Sequence, residues 1–409
     1  MKDNKEFDLI VFGATGFTGR LVAEYLHLSG AAGARWAIAG RSLDKLAAVR
    51  DELHLPPAVA LLKADASDAA ALKSLVARTR VVITTVGPYQ LYGEPLATAC
   101  ADGGTDYVDL CGEPLWMARM IDKLTPLAKN SGARIVFSCG FDSIPFDLGV
   151  VFLQSEAQAR FGAPLPEVRG RVARVKGTAS GGTLASMMET IEAVKREPQL
   201  VKLMANPFAL TPGFKGPRQP GDQDADLDDW ADAWTGPFLM ATINTKNIHR
   251  SNALRGHPWG QNFVYSEKLL TGKPGQGDKG RKKAVALARF TQLQNLALGF
   301  GPARAMLRRF VLTQPGDGPN LAAREAGHYQ LWFTGKSAGG QALRAIVKGD
   351  RDPGYGSTCK LISEAALCLA QDVGRDATPG GVWTPGSAMG LALVRRLHAR
   401  AGLTFEIAA

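Results

Sequence analysis

A glycine-rich turn between a buried strand and a helix constrains this chain more than any other feature. The apolar run Phe7–Phe12 is typical of a strand in a parallel sheet, and Gly13–Gly19 follows it at once with the spacing G-x-x-G-x-x-G. A helical pattern of apolar residues comes next, at Leu21, Val22, Tyr25 and Leu26. Glycine allows a tight turn and lets bare backbone approach a pyrophosphate at the start of a helix. This order predicts a Rossmann-type doubly wound parallel sheet that binds a dinucleotide; the alternative is a glycine turn without a ligand.

The residues after the second strand indicate which dinucleotide binds. Trp36–Ala39 is followed by Gly40, Arg41 and Ser42, where an NAD-specific protein usually has an acidic residue. A guanidinium pairs with a ribose 2′-phosphate in a forked geometry, and the Ser42 hydroxyl can donate to the same group. We therefore expect NADP(H). The alternative is that Arg41 is a solvated surface charge and that Ser42 only caps the helix Leu43–Leu53.

Further candidate cofactor contacts follow other strands of the predicted sheet. Ligands of such sheets lie beyond the carboxyl ends of the strands. Asp65, after the strand Val59–Lys63, can accept the adenine amino group or cap the helix near Ser67-Asp68. Val81–Val86 leads into Gly87, and Arg134–Ser138 leads into Gly140. The predicted cofactor-binding residues are Gly13, Thr15, Gly16, Phe17, Thr18, Gly19, Arg41, Ser42, Asp65, Gly87, Pro88, Tyr89, Gly140 and Phe141.

Composition narrows the classes of protein. The 409 residues are 45% hydrophobic and 21% charged, which is ordinary globular usage and enough for two domains. The N-terminus is polar and no apolar run is long enough for a bilayer, so we expect a cytoplasmic protein. Five scattered cysteines without C-x-x-C spacing predict reduced thiols and no metal site. The net charge of +10 suits anionic lipid or an acidic substrate. No basic-aromatic module accompanies it, which argues against nucleic acid.

The motifs resemble those of a known family. They are Gly13–Gly19, Ala39-Gly40-Arg41-Ser42, Val86-Gly87-Pro88-Tyr89, Tyr107-Val108-Asp109, Cys111-Gly112-Glu113, Cys139–Pro145, Ser180-Gly181-Gly182-Thr183, Pro315–Pro319, Asp352-Pro353-Gly354-Tyr355 and Thr384–Ala388. The chain resembles the saccharopine dehydrogenase-like oxidoreductases nearly end to end, and is most similar to their trans-acting enoyl reductase branch. The resemblance implies an NADP-binding Rossmann domain, a mixed-sheet second domain and a C-terminal return to the first. It also implies reduction of double bonds in lipids built by polyketide synthases. A fold by itself does not fix a substrate.

Strand–helix alternation stops near residue 150, where we place a domain boundary. We expect residues 1–150 to form the Rossmann domain, 151–354 an α+β mixed-sheet substrate domain, and 355–409 C-terminal helices that return to the first domain. Gly181-Gly182-Thr183 opens a helix and either cradles an anion or only turns the chain. The Pro- and Gly-rich segment 207–229 predicts a loop or lid. The other predicted elements are strands Val168–Lys176 and Phe238–Ile243, a hairpin of Gly327–Gly335 with Gln341–Lys348, helices Ser357–Asp372 and Leu391–Ala401, and a turn at Gly380–Gly386.

The segment Lys282–Leu312 is apolar and basic together. Such a helix can lie on an anionic membrane or admit an acyl chain. The alternative is a core helix with a solvated charged face. We therefore expect a small-molecule or lipid substrate, with peripheral membrane contact through 282–312 as an open prediction.

Candidate catalytic residues follow from the chemistry of enoyl reduction. Hydride delivery to the β-carbon needs an acid near the α-carbon and a donor for the carbonyl oxygen. Tyr89 and Tyr355 carry phenols that can serve, and Asp142 can orient the nicotinamide amide. Each can instead be a packing or loop residue. The histidines are isolated; His249, expected after a strand, and His257 are weaker candidates for substrate contact.

Three functions remain open from the sequence. The first is an NADPH-dependent reductase of an enoyl or related group on a lipid or polyketide-type intermediate. The second is a saccharopine- or opine-type dehydrogenase acting on a C–N bond, which needs arginines around a polar pocket; Arg169, Arg171 and Arg174 are available. The third is a non-catalytic NADPH-binding protein associated with lipid or membrane.

Overall fold

The first sheet is parallel throughout and is built mainly by the N-terminal part of the chain. The structure, a computed structural model, describes residues 5–177, 181–274, 278–299 and 318–408. The strands of this sheet are β1 (Phe7–Phe12), β2 (Trp36–Gly40), β3 (Ala60–Lys63), β4 (Thr79–Thr84), β5 (Asp106–Val108), β6 (Arg134–Val136) and β13 (Gly381–Trp383). Their spatial order is β13-β6-β5-β4-β1-β2-β3. The order reverses between β1 and β4, which creates the crevice where such sheets bind ligands. The predicted Rossmann-type sheet is confirmed.

The second sheet is mixed. Its strands are β7 (Glu167–Lys176), β8 (Asp226–Asp228), β9 (Ala233–Gly236), β10 (Val264–Gly272), β11 (His328–Lys336), β12 (Ala342–Gly349) and β14 (Leu403–Ile407). The spatial order is β14-β12-β11-β7-β10-β9-β8, with β7 and β10 parallel and the remaining pairs antiparallel. The predicted hairpin is β11 with β12, joined in register from Tyr329 opposite Gly349 to Lys336 opposite Ala342.

Helices cover both sheets. They are α1 (Phe17–Leu28), α2 (Leu43–Glu52), α3 (Ala69–Ala77), α4 (Tyr89–Gly103), α5 (Pro114–Ser131), α6 (Ile144–Phe161), α7 (Gly181–Arg196), α8 (Leu200–Ala205), α9 (Ala241–Leu254), α10 (Lys279–Gly299), α11 (Leu321–Glu325), α12 (Thr358–Gln371), α13 (Pro385–Ala388) and α14 (Gly390–Arg400). Leu9 and Val11 of β1 pack with α1, α2 and α12, whereas Ile10 and Phe12 pack with α3, α4 and α5. Both faces of the strand are therefore buried, which accounts for its continuous apolar run. Among the described residues, none of the helices is long and apolar enough to cross a membrane.

The C-terminal segment joins both sheets. β13 pairs in parallel with β6 at the edge of the first sheet, and β14 pairs with β12 in the second. The turn predicted at Gly380–Gly386 therefore contains a short strand. β13 and β14 were not predicted from the sequence, because each pairs with a strand that is far away along the chain.

The strand predicted at Phe238–Ile243 is wrong. β9 ends at Gly236, Pro237 lacks the N–H that a central ladder needs, and α9 begins at Ala241. α9 lacks a simple apolar stripe because many of its polar residues are also buried, among them Asn244, Lys246 and Asn247. The amphipathic pattern that would have revealed this helix is therefore absent from the sequence.

Candidate cofactor and substrate site

The glycine turn fits a bound pyrophosphate. Gly13 has φ +90°, and a Cβ there would lie 2.6 Å from the side chain of Val86. A Cβ on Gly19 would lie 2.2 Å from the Gly13 carbonyl oxygen, so this residue lets α1 pack against the turn. Gly16 precedes α1, is exposed and has no side-chain cap in the described structure. The N–H groups of the first turn of α1 are thus available to an anion.

The predicted adenosine-binding residues lie at the ends of β2 and β3. Arg41 is exposed, and the Ser42 hydroxyl accepts a hydrogen bond from the Lys45 N–H at 3.3 Å, which caps α2. Asp65 accepts from the N–H and hydroxyl of Ser67 at 2.9 and 2.7 Å; these bonds lower its pKa, and Arg41 adds a smaller electrostatic contribution. Asp68, rather than Asp65, caps α3. Capping leaves the hydroxyl proton of Ser42 available for a phosphate.

Glu113 organises the opposite side of the crevice. Its buried carboxylate accepts hydrogen bonds from the N–H groups of Tyr89 and Gln90, both at 2.8 Å, and so caps α4. It also accepts the hydroxyl of Ser186 on α7 at 2.6 Å. A second bond joins Gln90 to Thr190 at 3.1 Å. Cys111-Gly112-Glu113 stands out as a motif in the sequence, but this role of Glu113 cannot be predicted from it, because nothing local in the sequence pairs Glu113 with α4 and α7.

The three predicted catalytic residues occupy different environments. The phenol of Tyr89 is buried and donates to the Thr84 carbonyl at 3.2 Å, while the Leu110 N–H donates to it at 3.0 Å. Burial raises its pKa well above the usual value. The hydroxyl of Tyr355 instead accepts the Gly181 N–H at 3.0 Å, which uses a lone pair and not the phenol proton. Asp142 is hydrogen-bonded to Thr183, and burial raises its pKa to about 7.

Backbone constraints hold Tyr355 and Asp142 in place. The buried Asp352 carboxylate accepts hydrogen bonds from the N–H groups of Gly354, Tyr355 and Gly356 and fixes the single π-helical turn Pro353–Ser357. Ser143, next to Asp142, has φ +143°, which is strained for a residue with a side chain. The Ser143 hydroxyl donates to Asn244 at 3.0 Å and accepts from Asn247 at 2.7 Å. Strained backbone of this kind is concentrated at functional sites.

A cavity of about 630 Å³ connects these elements. Its wall includes residues from the predicted cofactor and catalytic sets, namely Gly16, Phe17, Thr18, Gly19, Gly87, Pro88, Tyr89, Gly140, Phe141, Asp142 and Tyr355. The opposite wall is largely apolar, with Met187 and Ile191 of α7, Met204 of α8, and Leu239 and Met240 before α9. Gly13, Thr15, Arg41, Ser42 and Asp65 are not among the residues that line it. The cavity thus combines a cofactor-type edge with an apolar wall.

Other candidates lie away from this cavity. His249 is buried within α9, where burial lowers its pKa to about 3, and it packs against Phe208. It does not follow a strand, because the strand predicted at Phe238–Ile243 is absent. His257 stacks on Phe214. Arg169 and Arg171 form ion pairs with Asp228, so they do not converge on a dicarboxylate pocket. Among the described residues no cluster of metal ligands was found.

Comparison with known proteins identifies relatives of the whole chain. Residues 9–136 match the family model described as the saccharopine dehydrogenase NADP binding domain. A trans-acting enoyl reductase of Mycobacterium ulcerans is 37% identical over 413 residues, covering 96% of each chain. One from Mycobacterium tuberculosis is 38% identical over 417 residues with the same coverage. Another protein of that species, named provisionally as such a reductase, is 39% identical over 423 residues, covering 98% of this chain and 97% of its own.

A solved structure shares the fold at low sequence identity. It is the apo saccharopine dehydrogenase (L-Glu forming) of Saccharomyces cerevisiae, with a TM-score of 0.52 and 11% identity, covering 98% of this chain and 100% of the yeast chain. This likeness extends the comparison of architecture to both sheets.

Proposed function

This chain belongs to the trans-acting enoyl reductase family and is an NADP-dependent oxidoreductase; we propose that it reduces the carbon–carbon double bond of an enoyl substrate. The observation that carries this proposal is the cavity. One wall is formed by the glycine turn and the strand ends, and the other by Met187, Ile191 and Met204. An acyl chain fits an apolar wall of this kind better than an amino-acid dicarboxylate does.

NADPH, when bound, supplies the hydride. The residues that would hold it are those of the turn Gly13–Gly19 and the start of α1 for the pyrophosphate, and Arg41 with Ser42 for the 2′-phosphate. Asp65 and the strand-end residues Gly87, Pro88, Gly140 and Phe141 belong to the same proposed set. The match to an NADP-binding domain over residues 9–136 supports this assignment.

The proton steps are assigned to Tyr355 and Asp142, two acidic side chains that contact the first turn of α7. Tyr355 bonds the N–H of Gly181, and Asp142 bonds Thr183, so both lie within one turn of the α7 N-terminus. Burial raises the pKa of Asp142 to about 7, near the working pH, which suits an acid that protonates the α-carbon. Tyr355 donates a hydrogen bond to the substrate carbonyl oxygen, where negative charge develops as hydride reaches the β-carbon. Tyr89 is assigned a positioning role, because its hydroxyl already donates to the Thr84 carbonyl and accepts from the Leu110 N–H.

The test of this function is turnover of a defined substrate. Purified protein is incubated with NADPH and the thioester of a medium-chain 2-enoic acid, and the product is identified by mass spectrometry. Formation of the saturated thioester in step with NADPH consumption is expected. Consumption of NADPH only when an amine and a keto acid are supplied would instead indicate C–N bond chemistry.

Peripheral membrane contact belongs to the same proposal and concerns the described part of α10. Ala284 and Ala288 of this helix are buried against the second sheet, which matches the core-helix alternative on that side. Its outer face exposes Phe290 and Leu293 by 63% and 65%. Lys282, Lys283 and Arg289 are exposed on the same helix. Residues 300–312 of the predicted segment lie outside the described residues.

Basic and aromatic residues on one exposed helix suit a cytoplasmic protein that touches an anionic lipid surface. Flotation with phosphatidylglycerol vesicles tests this, with phosphatidylcholine vesicles as the neutral comparison. We expect enrichment on the anionic vesicles alone and its loss in the variant Phe290→Ser/Leu293→Ser. Equal recovery with both vesicle types would remove the membrane contact from the proposal.

A further inference from the structure

A second cavity of about 680 Å³ adjoins the first. It lies between the segment 204–223, the start of α9 and β10. Met204 and Thr242 line both cavities. Its lining is more polar than the apolar wall of the first cavity, with side chains that include Lys246, Glu267 and Ser266. The two cavities therefore differ in the chemistry that they can accept.

Lys246 is the buried cation of this second cavity. The residue is only 3% exposed, and its ammonium donates to the Met204 carbonyl oxygen at 2.8 Å. An ammonium has three N–H donors. Among the described residues Lys246 forms no ion pair and no other hydrogen bond. A buried cation with one hydrogen bond and no direct ion pair is costly, and two of the N–H donors of Lys246 are left for a ligand.

The acidic residues that face the cavity form no hydrogen bond or ion pair with Lys246 in the described part of the chain. Both carboxyl oxygens of Glu267 are already used, one by Asn244 and the other by Tyr265, each at 2.7 Å. Burial raises the Glu267 pKa to about 8, which disfavours a negative charge on this group. Burial lowers the Lys246 pKa to about 8, and the charge of Asp222 acts through space in the opposite direction, favouring the ammonium form. Lys215 and Arg218, both exposed, also line the cavity and add positive charge.

We propose that the second cavity binds the oxyanion, a phosphate or carboxylate, on the non-reacting end of the substrate, with Lys246 as its principal ligand. The inference rests on the proposed reduction in the first cavity. Thr242 and Lys246 are four residues apart on α9, which places them about 6 Å apart along the helix axis. A chain that passes Met204 and Thr242 from the first cavity therefore reaches Lys246 within a few bonds. The substrate class is an enoyl amphiphile: an apolar reacting segment joined to an anionic end.

Kinetics with charged and neutral substrates test the assignment. The variant Lys246→Met keeps the bulk of the side chain but removes its charge, and Lys246→Arg restores a cation. Lys202→Met, an exposed lysine on α8, is the matched control. We expect Lys246→Met to raise the KM at least tenfold for an N-acetylcysteamine 2-enoyl thioester whose far end carries a carboxylate or phosphate, and to leave the KM for the matching thioester that ends in a methyl group within twofold. Lys246→Arg should recover most of the loss. Equal effects on both thioesters, or none on either, would overturn the proposal.

Direct binding separates this inference from the reduction itself. Calorimetry on the NADP⁺-loaded protein compares decyl phosphate, decanoate and decanol, and thermal unfolding checks that each variant is folded. We expect Lys246→Met to weaken decyl phosphate or decanoate about tenfold without changing decanol. The preferred anion then identifies whether phosphate or carboxylate is recognised. Lys246-dependent anion binding in a protein that reduces no enoyl thioester would support the anion site and reject the reduction. Anion binding that is unchanged in Lys246→Met would reject the anion site alone.

Discussion

The carboxylate of Glu113 accepts the hydroxyl of Ser186 at 2.6 Å while it caps the first turn of α4. One buried side chain thus couples the first sheet to α7, the helix that forms the apolar wall of the cavity. Gln90 and Thr190 add a second bond between the same two helices. The placement of α7 at the cavity and the capping of α4 therefore share a residue, and substitutions can separate the two effects.

Replacing Glu113 tests this coupling. Glu113→Gln weakens hydrogen bonds from two N–H groups to a charged acceptor, so we expect the free energy of unfolding to fall by about 2 kcal/mol in urea titrations. Ser186→Ala should leave stability nearly unchanged and raise the KM for the enoyl substrate. Glu94→Gln, which removes surface ion pairs from Glu94 of α4 to Arg119 and Lys123 of α5, serves as the control and should cost less than about 1 kcal/mol. Wild-type stability in Glu113→Gln would contradict the capping role.

Substitution of Arg41 tests the choice of cofactor. Arg41→Ala removes a guanidinium from the predicted 2′-phosphate site, so NADPH affinity should fall about tenfold or more while NADH affinity changes little. Fluorescence titration with both cofactors measures this, and Arg50→Ala, at the other end of α2, is the matched control. An equal fall in the affinities for NADPH and NADH would show that Arg41 does not bind the 2′-phosphate.

The pH dependence of reduction tests Asp142. Its pKa is raised to about 7, so the carboxyl group is protonated below that pH and loses its proton as the pH rises through it. If it is the acid, the single-turnover rate is highest on the acidic side and declines above about pH 7. Asp142→Asn should lower the rate about 10²-fold or more and remove this decline. A profile that keeps the same shape in Asp142→Asn would assign the proton to another group.

The two tyrosines are expected to respond differently to loss of the hydroxyl. Tyr355→Phe removes a donor aimed at developing charge, so the rate of NADPH oxidation should fall about 10²-fold in single turnovers. Tyr89→Phe leaves the Leu110 N–H without its acceptor, so stability should fall by about 1 kcal/mol with the rate changed only a few-fold. If Tyr89→Phe instead lost the rate and Tyr355→Phe lost only stability, Tyr89 would be the donor to the substrate and Tyr355 the positioning residue.

Local signals in the sequence were enough to predict much of the first sheet. The strand Phe7–Phe12 is buried on both faces, and the turn that follows needs glycine at Gly13 and Gly19 for steric reasons. The positions of Arg41 and of the strand-end glycines follow from parallel topology alone. The Rossmann fold, the mixed second sheet, the NADP-type cofactor and the family were all correctly predicted.

Contacts between distant segments could not be predicted in the same way. α9 is buried around its circumference and has no amphipathic stripe, β13 and β14 pair with remote strands, and Glu113 caps a helix that precedes it in sequence. The phenol of Tyr89 is bound to backbone groups that no sequence motif reveals. The individual site residues stay predictions for the variants above.

Isotope transfer is the most direct test of the proposed reduction. The protein is incubated in ordinary water with NADPH deuterated at the transferable C4 position and a 2-enoyl thioester, and the product is analysed by NMR. We expect one deuterium at the β-carbon and hydrogen from solvent at the α-carbon of a saturated thioester. A saturated product without deuterium, or no product while NADPH binds normally, would contradict hydride transfer to the double bond.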